Sequence, residues 1–218
     1  MRVIAKRSLK KFWERPGCAD ARGPLHSWYA EAIKAAWRSP QDIKDQYASA
    51  SICGNNRVVF NIGGNKYRLV VEAQYQADIV WVSSSGRTRS TTASTWRPQM
   101  TIKPIRNDDD LRRAFRRLEK IFQAVEGTSQ ADERDVLVTL IEAYENKHYD
   151  FGPADPVEAI KFRMEQEGLT PRDLEPYIGQ SGRVSEVLNR RRPLSLRMVK
   201  RLHDGLKIPY ESLMAGVA

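Results

Sequence analysis

From the N-terminus to about residue 82, apolar positions switch between helical and strand spacing. Val3-Ile4 opens a strand, and Leu9, Phe12 and Trp13 share one face of a short helix that Pro16-Gly17 stops. Leu25, Trp28, Tyr29, Ile33, Ala36 and Trp37 recur at helical spacing as core positions, and Ser39-Pro40 ends that run. From Asn56, NNRVVFNIGGNKYRLVVEA gives two β-branched runs about a Gly63-Gly64 turn, and Ile79-Val80-Trp81-Val82 adds a third. The pattern predicts an antiparallel sheet packed on helices.

Residues 83–99, SSSGRTRSTTASTWRPQ, break this pattern with small, polar and basic side chains and read as a linker. Met100 begins a segment like a fresh N-terminus. Asp108-Asp109-Asp110 supplies an N-cap and first-turn negative charge for a helix striped by Leu111, Phe115, Leu118 and Phe122. A second helix carries Leu137, Leu140, Ile141 and Tyr144 on one face, so residues 100–152 read as a helical hairpin. Residues 153–218 follow as short helices. One is marked by Val157, Ile160 and Met164 and closed by Gly168, and the next is capped by Thr170 with Pro171 at its first position. A third carries Val184, Val187 and Leu188 inward, and two more span about 195–206 and 209–214. The predicted class is α+β: a sheet-bearing domain over 1–82, then an all-α part.

Charge sharpens this division. Residues 1–99 hold 16 Lys/Arg against 7 Asp/Glu, the whole of the chain's net +9, while residues 100–218 balance. Within the second half the stretch up to Asp155 is acidic and the remainder mildly basic. A basic first part suits a polyanion, an acidic middle can cover it, and a basic end suits a second polyanion; solvated surface is the plainer alternative. Cys18 and Cys53 have neither metal-ligand spacing nor a disulfide framework and are assigned no chemistry. No stretch approaches the roughly 18 apolar residues of a membrane span, so no membrane partner and a cytoplasmic location are expected.

A short helix, a turn at Gly179 and a second helix with a polar outer face have the sequence shape of a helix-turn-helix. In that arrangement Gln180 and Arg183 reach base edges in the major groove, with Ser181, Glu186 and Asn189 as weaker candidates. Arg190, Arg191 and Arg192, in a row, suit phosphates. The alternative is a five-helix domain with a solvated arginine turn. The run LTPRDLEPYIGQSGRVSEVLNRRRPLSLRMVKRL resembles the Cro/lambda-repressor type of helix-turn-helix, and with the hairpin before it looks like HigA antitoxins over about residues 100–215. That resemblance implies a dimeric repressor of its own operon that binds operator DNA and silences a toxin.

The run LHSWYAEAIKAAWRSPQDIKDQYASASICGNNRVVFNIGGNKYRLVVEA resembles HigB toxins of the RelE-like group, over about residues 1–82. The resemblance implies an mRNA interferase, an endoribonuclease cutting messenger RNA on the ribosome without metal or cofactor. Arg57, Lys66 and Arg68 alternate with apolar residues on adjacent strands, so they can share one face as a phosphate cradle, or be ordinary solvent-facing strand charges. Arg68 matches the basic strand residue that the family places in its site. His26, the sole histidine of this half, reads as surface or satisfied rather than catalytic.

HigB-like toxins continue with a further strand and a tail like KFIGTHAEYDRID, whose His and Tyr are the proton-transfer groups that the family implies. Ser83 to Thr95 contain neither residue. Codons for that tail displaced by one nucleotide can spell SSSGRTRSTTAST, so the hypothesis is a frameshift near Val82 that erased the tail and its stop signal. Intact in-frame codons from an evolved linker would sink it. The favoured expectation is a DNA-binding antitoxin carrying a truncated toxin with little or no ribonuclease activity. The alternatives are an active ribonuclease self-inhibited by its antitoxin half, and a non-enzymatic partner that sequesters free toxin or antitoxin.

Overall fold

Five strands form one sheet: β1 (Arg2–Ile4), β2 (Ser51–Cys53), β3 (Arg57–Ile62), β4 (Tyr67–Gln74) and β5 (Ile79–Ser83), in the order β1-β5-β4-β3-β2. The computed structural model describes residues 1–64, 66–83, 103–149 and 151–215. The β2/β3, β3/β4 and β4/β5 ladders are antiparallel, with Ile62 opposite Tyr67 across the turn at Gly63 and Gly64, both of positive φ. The expected antiparallel sheet is corrected at one edge, where β1 runs parallel to β5. A parallel pair needs a long crossover, and here the rest of the domain supplies it.

Alternation along the strands sets the two faces. Val58, Phe60, Ile62, Leu69, Val71, Val80 and Val82 point to one side, where α1 (Lys6–Trp13), α2 (Arg22–Ala32) and α3 (Pro40–Gln46) close a core around Leu9, Leu25, Trp28 and Tyr47. The helical run expected through Trp37 stops at Ala32, and exposed Ile33 caps it. Trp37 is still core, but it is held outside the helix by its Nε1 donating to Gln46 at 2.8 Å. Ser39-Pro40, read as an end, is a beginning: Ser39 and Asp42 form a capping box for α3.

The opposite face is covered at its β1/β5 side by α4 (Asp108–Ile121) and α5 (Ser129–His148). The N-cap of α4 is Asn107, which accepts from the N–H groups of Asp109 and Asp110, and the three aspartates occupy the first turn beside the helix's positive end. Leu111, Leu118, Phe122, Val138 and Ile141 pack on Ile4 and Ile79, and Trp81 lies between Phe115 and Phe122, at 6.1 and 5.4 Å between centroids. The linker and displaced tail expected over 83–99 lie, apart from Ser83, outside the described residues; Ser83 is the last residue of β5.

The remaining chain is helical: α6 (Pro156–Glu167), a single-turn 3-10 helix at Pro171–Leu174, α7 (Glu175–Ile178), α8 (Ser181–Leu188), α9 (Leu196–Leu206) and α10 (Tyr210–Met214). Ile160, Leu174, Ile178, Val184, Val187, Leu202 and Leu213 make its own core. The other side of α6 sends Phe162 into the sheet's core. Among the described residues no helix is long and apolar enough to cross a membrane.

Candidate functional site

A cleft of about 60 Å³ opens between α1 and the adjoining ends of β4 and β5. Buried Leu9, Leu25, Ile62, Leu69 and Val82 floor it, and Ser8, Arg15, Tyr67, Arg68 and Ser83 form its polar rim. Arg15 follows α1 just before the Pro16-Gly17 break, which aims it back over the Phe12 ring at 5.7 Å. Phe12 meets Tyr67 edge to face at 5.3 Å, so the α1 and β4 sides of the cleft brace each other. Sequence reading missed Arg15, although its place three residues after core Phe12 was the available signal.

The three strand and turn cations expected as a cradle are not brought together. By strand alternation Arg57 and Arg68 both start on the sheet face opposite the α1–α3 core, Arg68 where the cleft's rim crosses β4, but Arg57 stands across from Glu72 while Arg68 stands across from Asn61. They are therefore about 14 Å apart along the strands at roughly 3.4 Å per residue. Lys66 turns to the helical side and meets Asp20 at 2.7 Å, correcting the shared face. Tyr67 Oη donates to the same carboxylate at 2.7 Å. Hydrogen bonds from Lys66 and Tyr67 hold the Asp20 carboxyl below its usual value, and Asp20 in turn pushes the Lys66 ammonium and the Tyr67 phenol upward. Tyr67 thus stays neutral and committed as a donor. His26 lines a different cavity, against Phe151 at 5.6 Å.

The cluster expected to meet DNA lies on α8 and its flanks. Gly179, at φ +123°, joins α7 to α8, and a Cβ there would stand 3.2 Å from Arg183 Nη1. Gln180, Ser181, Arg183 and Arg191 are exposed, with side chains that make no hydrogen bond or ion pair among the described residues. Asn189 donates to the Ser185 carbonyl at 2.9 Å. Arg192 pairs with Glu186 at 2.5 Å, and Arg190, at φ +59°, pairs with Asp155 at 2.9 Å and Glu158 at 3.0 Å. Arg190 is thereby tied to the start of α6, while Gln180, Ser181 and Arg183 form a contiguous outward set.

The two halves meet through charge as well as packing. α1 has no cap of its own, since Ala5 stands in its N-cap position at φ 68°; the Glu145 carboxylate from α5 accepts instead from the N–H groups of Ala5 and Lys6, at 2.9 and 3.1 Å, and of Arg7 at 3.2 Å. Burial pushes the Glu145 carboxyl up to about 6 against those bonds. Arg2 meets Glu142 at 2.9 Å and Arg7 meets Asp108 at 2.6 Å. At the other junction Arg163 of α6 pairs with Glu31 of α2, which also accepts from Tyr47 Oη at 2.7 Å. No described residue after Ser83 lines the cleft.

No curated protein and no solved structure matches the chain. Residues 21–86 match the family model HigB_toxin, the RelE-like toxic component of a toxin–antitoxin system. The matched span runs from the start of α2 through β5, taking in the sheet side of the cleft with Arg68, so the sheet-bearing part of this chain is similar to a RelE-like toxin.

Proposed function

We propose that the chain is a toxin–antitoxin fusion acting mainly as a sequence-specific DNA-binding antitoxin and autorepressor, its HigB-like part retaining an RNA-binding cleft with little or no cleavage. The observation that carries this reading is the cap of α1: a carboxylate from residues 103–149 completes a helix of the toxin-like part, as a cognate partner would. The α7–α8 pair is read as a helix-turn-helix, with Gln180, Ser181 and Arg183 leading toward bases, and Glu186 and Asn189 behind them. Arg190, Arg191 and Arg192 are read as phosphate contacts. Two copies joined through the antitoxin half would read a palindromic operator.

In the cleft, Arg15 and Arg68 are suited to RNA phosphates, with Lys66 and Arg57 flanking at a distance. Phosphodiester cleavage needs proton transfer near the attacking and leaving oxygens, and Tyr67 is engaged with Asp20 instead. An active ribonuclease masked by its own C-terminal half is the weaker reading, because no described residue after Ser83 lines the cleft. The test pairs two assays of the full chain: ribosome-dependent messenger RNA cleavage and retardation of DNA from upstream of its own gene. Retardation without cleavage supports the proposal. Cleavage refutes the inactive toxin, and absence of retardation refutes the repressor.

A further inference from the structure

A larger cavity, of about 350 Å³, lies on the other side of α1 from the cleft. Phe12 and Arg15 serve the cleft, whereas Lys10, Trp13 and Glu14 line this cavity with Arg22 and His26 of α2. Ala19 and Phe151 complete its wall, Phe151 from the segment between α5 and α6, so both halves of the chain build it. Phe151 packs edge-on against Trp13 at 5.0 Å and His26 at 5.6 Å between centroids. All three rings are only half-buried and line the opening, which leaves aromatic surface facing the space.

Two cations stand beside these rings. Arg22 is exposed and makes no hydrogen bond or ion pair among the described residues. Lys10 is 4.0 Å from Glu14 and 6.0 Å from the centre of the Tyr149 ring. Aromatic surface bordered by an exposed guanidinium suits a ligand that is flat at one end and anionic at the other. The volume falls at the small end of the range for small-molecule pockets, roughly 300–1,000 Å³. Glu14 on the rim disfavours a long polyphosphate and can accept from the amino group of a base.

We propose that this cavity binds a nucleoside monophosphate unit, its base against Trp13 and Phe151 and its phosphate held by Arg22 and Lys10. The unit is either a free nucleotide or one residue of single-stranded RNA, since both present the same base and phosphate. This reading is independent of the cleft and of α8, because it uses neither Arg68 nor Arg183.

Isothermal titration of the full chain with AMP, and separately with an oligoadenylate of about five nucleotides, tests it. The expected result is saturable binding that Arg22→Ala weakens about tenfold or more, as loss of a guanidinium–phosphate contact should. Lys120→Ala, at an exposed position of α4 that lines neither cavity, should leave that binding unchanged. Binding of AMP alone identifies a free nucleotide, and tighter binding of the oligomer identifies an RNA strand; each supports the site if Arg22→Ala weakens it. Trp13→Phe, which keeps a ring in the wall, should bind more weakly while its circular dichroism stays that of the parent. Failure of both ligands to bind, or binding that Arg22→Ala leaves unchanged, overturns the proposal.

Discussion

Glu31 and Arg163 form an ion pair across the junction of the two halves, with side chains 2% and 1% exposed. Arg163 also donates from Nη1 to the Gln46 carbonyl at 2.9 Å and meets Glu167 at 3.6 Å, while Glu31 accepts from the Tyr47 hydroxyl; Glu31 Oε1 and Arg163 Nε have no hydrogen-bond partner among the described residues. Removing one member strands the other charge out of water. Arg163→Met should lower stability by about 3–5 kcal/mol, and the double variant Glu31→Leu/Arg163→Met by clearly less. Urea unfolding of the four forms measures the coupling, and additive losses would mean that the two charges do not depend on each other.

The same pair gives stability a pH dependence. Burial pushes the Glu31 carboxyl up to about 7, against Arg163 and the Tyr47 bond, which pull it down. An unfolded glutamate titrates at about 4.3, so the folded chain holds this proton the more tightly. The stabilisation is complete below about pH 4.3 and is lost as pH rises through about 7. Glu145, pushed up to about 6, acts in the same direction over a narrower window. Urea midpoints should therefore fall between pH 5 and 7.5, and Glu31→Gln should flatten the upper part of that fall.

Glu145→Ala removes the acceptor of three backbone N–H groups and leaves the start of α1 uncapped and buried. The cost should be about 1–3 kcal/mol. Hydrogen exchange should locate the loss at residues 5–8 and leave α8 and α9 protected. Uniform loss of protection would instead make Glu145 a general packing residue.

If α8 reads an operator, Arg183→Ala should weaken binding by about 1–3 kcal/mol and relax preference at one base pair. Arg190 is held by Asp155 and Glu158, so Arg190→Ala should have the smaller effect on affinity. Titrations of operator and scrambled DNA at two salt concentrations separate the roles. The assignment fails if Arg183→Ala weakens both DNAs equally.

Gly205 in α9 lies under the Tyr177 ring, and a Cβ there would stand 2.2 Å from Cε1. Gly205→Ala should favour the isolated helix yet destabilise the protein by about 1–3 kcal/mol, the cost of overpacking. Thermal unfolding checks the sign, and Gly205→Ala/Tyr177→Ala should recover part of the loss.

The periodic parts of the chain were legible. Val58, Phe60 and Ile62 alternate, and the stripe through Leu111, Leu118 and Phe122 repeats, because each set faces one layer and carries its period in full. The start of α3 was misread because Ser39-Pro40 serves equally as a stop and as a cap with proline at the first position. Strand β2 leaves Ser51, Ile52 and Cys53 exposed and shows no alternation to detect. The cleft was half legible: Arg68 is marked by its strand, whereas Arg15 and the Lys66–Asp20–Tyr67 cluster depend on contacts that spacing does not encode. The Glu145 cap joins residues 140 positions apart, which no local pattern reveals.

That cap also sets an order in time. The amide donors of α1 leave the ribosome about 140 residues before the carboxylate that accepts them. Until then its first turn keeps unmet donors, and β1 keeps its outer face without α4 and α5. The sheet-bearing part therefore matures on the nascent chain only after the segment through most of α5 has been translated, so synthesis itself delivers the two parts already joined.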